Sequence, residues 1–228
     1  MNGIFVTGTD TGVGKTVVAA GIAGAMKKDG IDVGVMKPVA TGIPQKNDLR
    51  SPDAELLARA SGSKDPESEI NPIFLPLEAS PLAASRTLNT EVKPGEVFSA
   101  FERLTARHDY MVVEGIGGVM VPIKKDYFVI DMIKEMKLPV LIVCRAQLGT
   151  LNHTVLTVRA CQEYNLDLAG IVVNGVHDGD ALEKGTPEII REVTGAFVIG
   201  TVPFVENLDP AHVVDLVGKH VKYDLLIS

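Results

Sequence analysis

Gly8-Thr9-Asp10-Thr11-Gly12-Val13-Gly14-Lys15-Thr16 is the stretch whose reading decides the fold. The apolar run Gly3-Ile4-Phe5-Val6-Thr7 leads into it, and Val17-Val18-Ala19-Ala20 opens a helical pattern behind it. Glycines let the backbone curl so that its N–H groups converge on phosphate oxygens, and a helix start adds partial positive charge. A lysine at position 15 can reach the β- and γ-phosphates of a nucleotide, and the Thr16 hydroxyl can ligate Mg²⁺. Gly8 and Gly14 are one residue further apart than the strict phosphate-loop spacing, because position 9 is Thr. The competing reading is a glycine-rich turn that carries a surface lysine. A strand before, a helix after and an intact Gly14-Lys15-Thr16 argue for phosphate. Gly12, Val13, Gly14, Lys15, Thr16 and Val17 are therefore candidate nucleotide contacts.

Outward from the loop, short apolar runs alternate with amphipathic stretches, the rhythm of strand–helix–strand units. Strands are expected at Ile4–Thr7, Val33–Lys37, Tyr110–Glu114, Val140–Cys144, Ala169–Asn174 and Ala196–Ile199. Helices are expected at Lys15–Lys28, Asp53–Ala60, Val97–Thr105, Asp126–Met136, Leu151–Tyr164, Pro187–Val193 and Ala211–Lys219. The fold class that follows is α/β of the P-loop NTPase type: a Rossmann-like, mostly parallel sheet with helices on both faces. Thr41–Arg50 and Ser61–Pro81 are rich in Pro, Ser, Asn and Asp and hold no hydrophobic core of their own. They read as long loops on one domain spanning residues 1–228, of the kind that carries function.

Composition narrows the classes. Of 228 residues, 46% are hydrophobic and 22% charged, which excludes a disordered chain, and with no Trp the core must be aliphatic. A net charge of −7 disfavours a general nucleic-acid binder. Two cysteines, Cys144 and Cys161, are too few and too distant for a disulfide framework or a zinc site. No apolar stretch reaches the ~18–20 residues that span a bilayer, and no signal-type segment precedes the first strand. The expectation is a soluble, cytoplasmic protein that binds neither membrane nor nucleic acid.

Three further side chains point at the phosphate loop. Lys37 stands at the carboxyl edge of its strand, which Pro38 ends. Alone it reads as a solvated charge, but beside Lys15 it would help neutralise a phosphoryl group in transfer. Asp53 starts a helix after Ser51-Pro52, and serves equally as a metal ligand or as a helix cap or dipole partner. Glu114 ends the strand Met111-Val112-Val113 and runs into Gly115-Ile116-Gly117-Gly118. An acid there is the place of a second Mg²⁺ partner, the alternative being a simple chain reversal.

Gly8-Thr9-Asp10-Thr11 with Gly14-Lys15-Thr16, then Lys37-Pro38-Val39-Ala40, Glu114-Gly115 with Gly117-Gly118, and Leu148-Gly149 with Asn152-His153 together resemble the dethiobiotin synthetases, from the first strand to about Glu206. The phosphate loop is shared by many families, whereas Lys-Pro-Val-Ala and Leu-Gly-x-x-Asn-His are far more restrictive. The resemblance implies an enzyme that joins CO₂ (or bicarbonate) to diaminopelargonic acid, phosphorylates the carbamate with ATP and Mg²⁺, and closes a cyclic urea. It implies catalytic roles for Lys37, Lys15 and Thr11, and metal binding by Thr16, Asp53 and Glu114. Nucleotide contacts would extend to Gly115, Ile116, Gly117, Asn174, Gly175, Pro203, Phe204, Val205 and Glu206. Substrate would meet Thr11, Lys37, Thr41, Gly118 and the loop Gly149, Thr150, Leu151 and Asn152, the last four across a homodimer interface. Asn152 has a second reading as a helix cap.

Thr41 stands where the family often has Ser, Ile116 where it has a small residue, and Thr150 where it often has Cys. Two other classes share the expected sheet. A MinD- or ParA-like ATPase switch would carry an additional lysine early in the loop, where this chain has Thr9 and Asp10. An amidotransferase-type synthetase of the cobyrinic acid group would need a glutaminase portion for which there is no room.

Overall fold

The apolar run ahead of the phosphate loop is strand β1 (Asn2–Gly8) in the computed structural model, which describes residues 2–45, 49–206 and 208–227. The loop delivers the chain into α1 (Lys15–Lys28), the span read from the sequence. There follow β2 (Val33–Met36), β3 (Val39–Thr41), α2 (Pro52–Ser61), α3 (Glu67–Ile70), β4 (Ile73–Leu75), α4 (Pro81–Thr87) and α5 (Pro94–Thr105). The second half runs β5 (Tyr110–Gly118), β6 (Pro122–Lys124), β7 (Tyr127–Phe128), α6 (Val129–Met136), β8 (Val140–Arg145) and α7 (Thr150–Glu163). It ends with β9 (Leu168–Val176), α8 (Ala181–Thr194), β10 (Val198–Pro203), α9 (Pro210–His220) and a 3₁₀ turn at Tyr223–Leu226.

Six strands form one sheet in the order β10-β9-β8-β1-β5-β2, and every neighbouring pair is parallel. Alternation along the strands divides the core between two faces. Phe5, Met111, Val113, Val140, Ile142 and Cys144 pack under α5, α6 and α7 on one side. Ile4, Val6, Val112, Leu141 and Val143 pack under α1, α2 and α9 on the other. Helix α1 lies between the sheet, α2 and α9, so residues Val18 to Met26 are all buried. Gly21 and Gly24 let α9 approach: a Cβ on either would meet Val217 or Val214 at 2.4 or 2.2 Å.

Strand β1 sits between β5 and β8, so the chain passes to one side of it through β2 and β5 and later to the other through β8. A crevice opens at the carboxyl ends of strands where the winding reverses in this way. The phosphate loop, the end of β5 and the end of β8 all meet there.

Several expectations need correction. The stretches read as long loops contain α3 and β4 and begin on the last residue of β3, and β3 pairs with β4 in a small parallel sheet through Val39–Ile73, Ala40–Phe74 and Thr41–Leu75. The helix expected from Asp126 starts at Val129, because Pro122–Lys124 and Tyr127–Phe128 form a short antiparallel ribbon first. The helix expected from Pro187 starts at Ala181, since Asp180 accepts hydrogen bonds from the Leu182 and Glu183 backbone N–H groups and caps it there. The last strand lies at Val198–Pro203, two residues later than expected at its start. Cys144 and Cys161 are free and buried, their thiols pushed up to about 11 by burial. Among the described residues no helix is long and apolar enough to cross a membrane.

Candidate active site

Gly14 occupies the amino-terminal cap of α1 with φ 91°, a left-handed conformation that favours glycine. Close packing imposes glycine independently: a Cβ there would lie 2.0 Å from Asn174 Nδ2. That nitrogen donates to the Val13 carbonyl at 3.0 Å and ties the end of β9 to the phosphate loop. Lys15 curls back over the loop, and its ammonium donates to the Asp10 carbonyl at 2.9 Å. Burial, and next the Lys37 charge, lower the Lys15 pKa to about 8.

Lys37 is buried at the carboxyl end of β2, where the chain turns at Pro38. Its backbone N–H donates to the Ile70 carbonyl at 2.7 Å, and its carbonyl accepts from Asn71 Nδ2 at 2.7 Å. These bonds anchor the residue from both sides of its peptide. The ammonium lies 2.6 Å from Glu114 Oε1, 2.7 Å from Asp53 Oδ2 and 3.1 Å from the Gly115 carbonyl. Burial works to discharge it, but Glu114 and then Asp53 hold its pKa above the ordinary lysine value. Glu114 has no solvent exposure, and burial pushes its carboxyl above the usual range against the pull of Lys37. Both carboxylates thus favour the ammonium form of Lys37.

Asp53 does not cap α2. Ser51 does, accepting from the Ala54 N–H at 3.4 Å, with Pro52 in the first turn. Asp53 is thereby freed to face the cleft. Burial opposes its ionisation, yet Lys37 and a Thr16 hydrogen bond bring its pKa below the ordinary carboxylate value. The Thr16 hydroxyl donates to Glu114 Oε1 at 2.9 Å, and Glu114 Oε2 is buried without a hydrogen-bond partner. Two carboxylates and a hydroxyl, one oxygen still unsatisfied, make a donor set that suits a hard divalent cation. Among the described residues no three His, Cys, Asp or Glu side chains could hold a metal by themselves, so ligand oxygens would have to complete the shell.

A cleft of about 1160 Å³ gathers most of the expected residues. Thr11, Gly12, Gly14, Lys15, Thr16 and Val17 form its floor; Lys37, Thr41, Asp53, Glu114, Ile116 and Gly117 form one wall. Asn174, Gly175, Pro203, Phe204, Val205 and Glu206 form its far end. Asn174 Nδ2 is engaged by the loop, which leaves its Oδ1 as the free end. Val13, Gly115 and Gly118 do not line the cleft but support it. Val13 and Gly115 are the backbone acceptors already described, and Gly118 pairs with Gly8. The loop Gly149–Asn152 does not line it either. Gly149, with φ 93°, is the cap of α7 and no side chain caps that helix, so Asn152 is an exposed first-turn residue and not the cap.

Sequence reasoning missed Glu78, Ala79, Ser80 and Pro81, which line the cleft from the segment read as loop, and Arg145 at the end of β8. The strand-end rule that selected Lys37 and Glu114 would have selected Arg145 as well. Asn71 carried no signal, since its contacts join segments distant in sequence.

An AAA domain family model matches residues 2–212. The ATP-dependent dethiobiotin synthetase BioD of Nitrosopumilus maritimus is 42% identical over 228 residues, covering 100% of both chains. That of Bacillus subtilis strain 168 is 38% identical over 229 residues, covering 100% of this chain and 98% of its own. Among solved structures, a ParA family ATPase from Chlorobium tepidum superposes with a TM-score of 0.57 at 17% identity, covering 94% of this chain and 98% of its own. The MinD cell division protein of Aquifex aeolicus gives 0.53 at 16% identity, covering 96% and 87%. These two show the parallel α/β architecture alone. Full-length identity near two residues in five places the chain itself: it belongs to the ATP-dependent dethiobiotin synthetase family.

Proposed function

We propose that the cleft binds ATP beside diaminopelargonic acid and closes the cyclic urea of dethiobiotin with CO₂, releasing ADP and phosphate. The observation that carries this reading is Lys37. It is a buried, protonated cation held by Glu114 and Asp53 at the mouth of a phosphate loop whose own lysine, Lys15, faces the same space. The reaction brings a carbamate anion against a polyphosphate anion, and fixed cations are what such an encounter needs.

One amine of the substrate attacks CO₂ and loses a proton, giving the carbamate. A carbamate oxygen then attacks the γ-phosphorus as the bond to the β–γ bridging oxygen breaks, and ADP leaves. The second amine attacks the carbonyl carbon, the C–O bond to phosphate breaks, and loss of a proton completes the ring. In this reading Lys15 and Lys37 neutralise the oxygens of the transferring group, and the backbone N–H groups from Gly12 to Thr16 hold the phosphates. Thr11 and Thr41, which line the cleft, orient the carbamate. No side-chain nucleophile takes part. Thr16, Asp53 and Glu114 would hold Mg²⁺ with ATP oxygens; when bound, the ion supplies further charge neutralisation along the phosphates.

The loop Gly149–Asn152 lies outside the cleft. The amino terminus of α7 is a ready carboxylate site, and Leu148 beside it is fully exposed while Leu151 is partly so. We read this loop as completing the site of a second subunit in a homodimer, and the protein as cytoplasmic. Exchange of the exposed Leu148 for Glu should then convert a sedimenting dimer to monomer and raise the KM for the diamine.

The deciding assay mixes purified protein with diaminopelargonic acid, bicarbonate, ATP and Mg²⁺ and follows dethiobiotin by mass spectrometry beside phosphate release. Product that requires all four components is the expected result. Phosphate release indifferent to the diamine, with no cyclic urea, would move the protein to the ATPase-switch class.

A further inference from the structure

Arg145 ends β8 in register with Asn174 of β9 and lines the far end of the cleft. Its side chain is exposed, and it forms no ion pair or hydrogen bond with any described residue. In a chain of net charge −7, an unpaired guanidinium inside the cleft calls for a ligand. The surroundings indicate which part of a ligand it meets. Gly175 follows Asn174 with φ 76°, and the point just off its Cα where a Cβ would stand lies 3.9 Å from Arg145 Nε and 4.0 Å from Phe204 Cδ2. Guanidinium and aromatic ring thus reach the same point at ordinary contact distance, and the missing side chain leaves the space between them open.

The ring side of this slot is fixed. The Phe204 N–H donates to the Val176 carbonyl at 2.9 Å, and His177 stacks on the Phe204 ring with centroids 4.7 Å apart and planes at 25°. A slot with a planar cation on one side and an aromatic ring on the other suits a flat, electron-rich heterocycle. We infer that Arg145 is a base-contacting residue, which stacks its guanidinium on the nucleobase of the bound nucleotide and closes the base end of the cleft opposite Phe204. The inference rests on the nucleotide reading given above and adds a residue to it.

The test is binding of ATP and of inorganic tripolyphosphate, a probe with phosphates and no base, to the wild-type chain and to Arg145→Ala and Arg145→Lys. Arg145→Ala should weaken ATP binding roughly ten-fold and leave tripolyphosphate binding within about two-fold of wild type. Arg145→Lys, which keeps the charge and loses the planar fork, should recover only part of the ATP affinity. Equal loss for both ligands would overturn the inference, because the guanidinium would then be serving the phosphates. So would an unchanged ATP affinity in a folded variant. Since the readout is binding, it stays separate from ring closure. A wild-type protein that made no dethiobiotin would sink the proposed reaction and leave the base-slot result standing.

Discussion

Lys37 and Glu114 form an ion pair 2.6 Å long in which neither side chain is more than 3% exposed. Glu114 lies midway along β5 and Lys37 follows β2, two strands that are neighbours in the sheet although 77 residues separate the pair in sequence. The parallel register pairs Met36 with Val113, so the residues that follow, Lys37 and Glu114, stand at the same level, and Asp53 then approaches from α2.

Lys37→Met should leave the Glu114 carboxylate buried without its cation. Breaking such a pair from one side costs about 3–5 kcal/mol, and the further exchange Glu114→Gln should restore part of that loss. Urea unfolding of the two single variants and the double variant measures the coupling. Dethiobiotin formation should fall by at least about a hundred-fold in folded Lys37→Met. Near-normal turnover would remove Lys37 from the proposed chemistry.

The depressed pKa of Lys15 ties nucleotide binding to protons. With a value of about 8 in the free protein, the ammonium is partly neutral at pH 8 and must recharge to meet phosphate. ATP binding near that pH should therefore take up protons, visible by calorimetry in buffers of different ionisation heat, and Lys15→Met should abolish the uptake. The sign for folding is the reverse of an ordinary lysine contact. The folded value lies below the unfolded value of 10.5, so burial of the charge destabilises the free protein most at neutral pH. Stability should rise between pH 8 and 10.5, and Lys15→Met should flatten that rise.

Gly14→Ala meets two obstacles, a left-handed φ and the Asn174 amide. The backbone strain alone is about 1–2 kcal/mol, and the clash must displace either the loop or Asn174. ATP affinity should fall more than about ten-fold. Adding Asn174→Ala should relieve the clash and leave the strain, so thermal stability should recover in part. Full recovery would show that φ at position 14 carries no strain.

A polar cluster behind the sheet sets the acid limit of the fold. Burial raises the Asp65 carboxyl, but Ser63, His108 and Arg107 bring it below its ordinary value of 3.8. Arg107 foremost, with Arg103, does the same for Glu69 below 4.5. His108 also contacts Asp32 at 2.8 Å, which joins α5 to the start of β2. Carboxyls with depressed folded pKa values stabilise above their unfolded values and lose that contribution as pH falls. Arg107→Met should lower the Tm at pH 7, and the difference from wild type should shrink as pH drops through 4.5 and 3.8. A difference independent of pH would mean that Arg107 stabilises through packing alone.

The sequence by itself determined the phosphate loop, the bounds of α1 and the parallel α/β class, because each rests on local chemistry. Glycine spacing, strand-to-helix switching and apolar periodicity are written within a few residues of one another. It also marked Lys37, Asp53 and Glu114, since polar groups that end apolar runs announce themselves. What lay in the tertiary structure was who meets whom. Ser51 takes the cap of α2, which releases Asp53 to Lys37; Asn71 pins the Lys37 peptide from the far side of β3 and β4; and Arg145 is left unpaired across Gly175 from Phe204. The segment from Ser61 to Pro81 looked irregular because its order comes from pairing with Val39–Thr41 and from lining the cleft. Pairing between strands and the convergence of strand ends are non-local. Their free energy is gained only when the sheet has formed, so no window of sequence contains them.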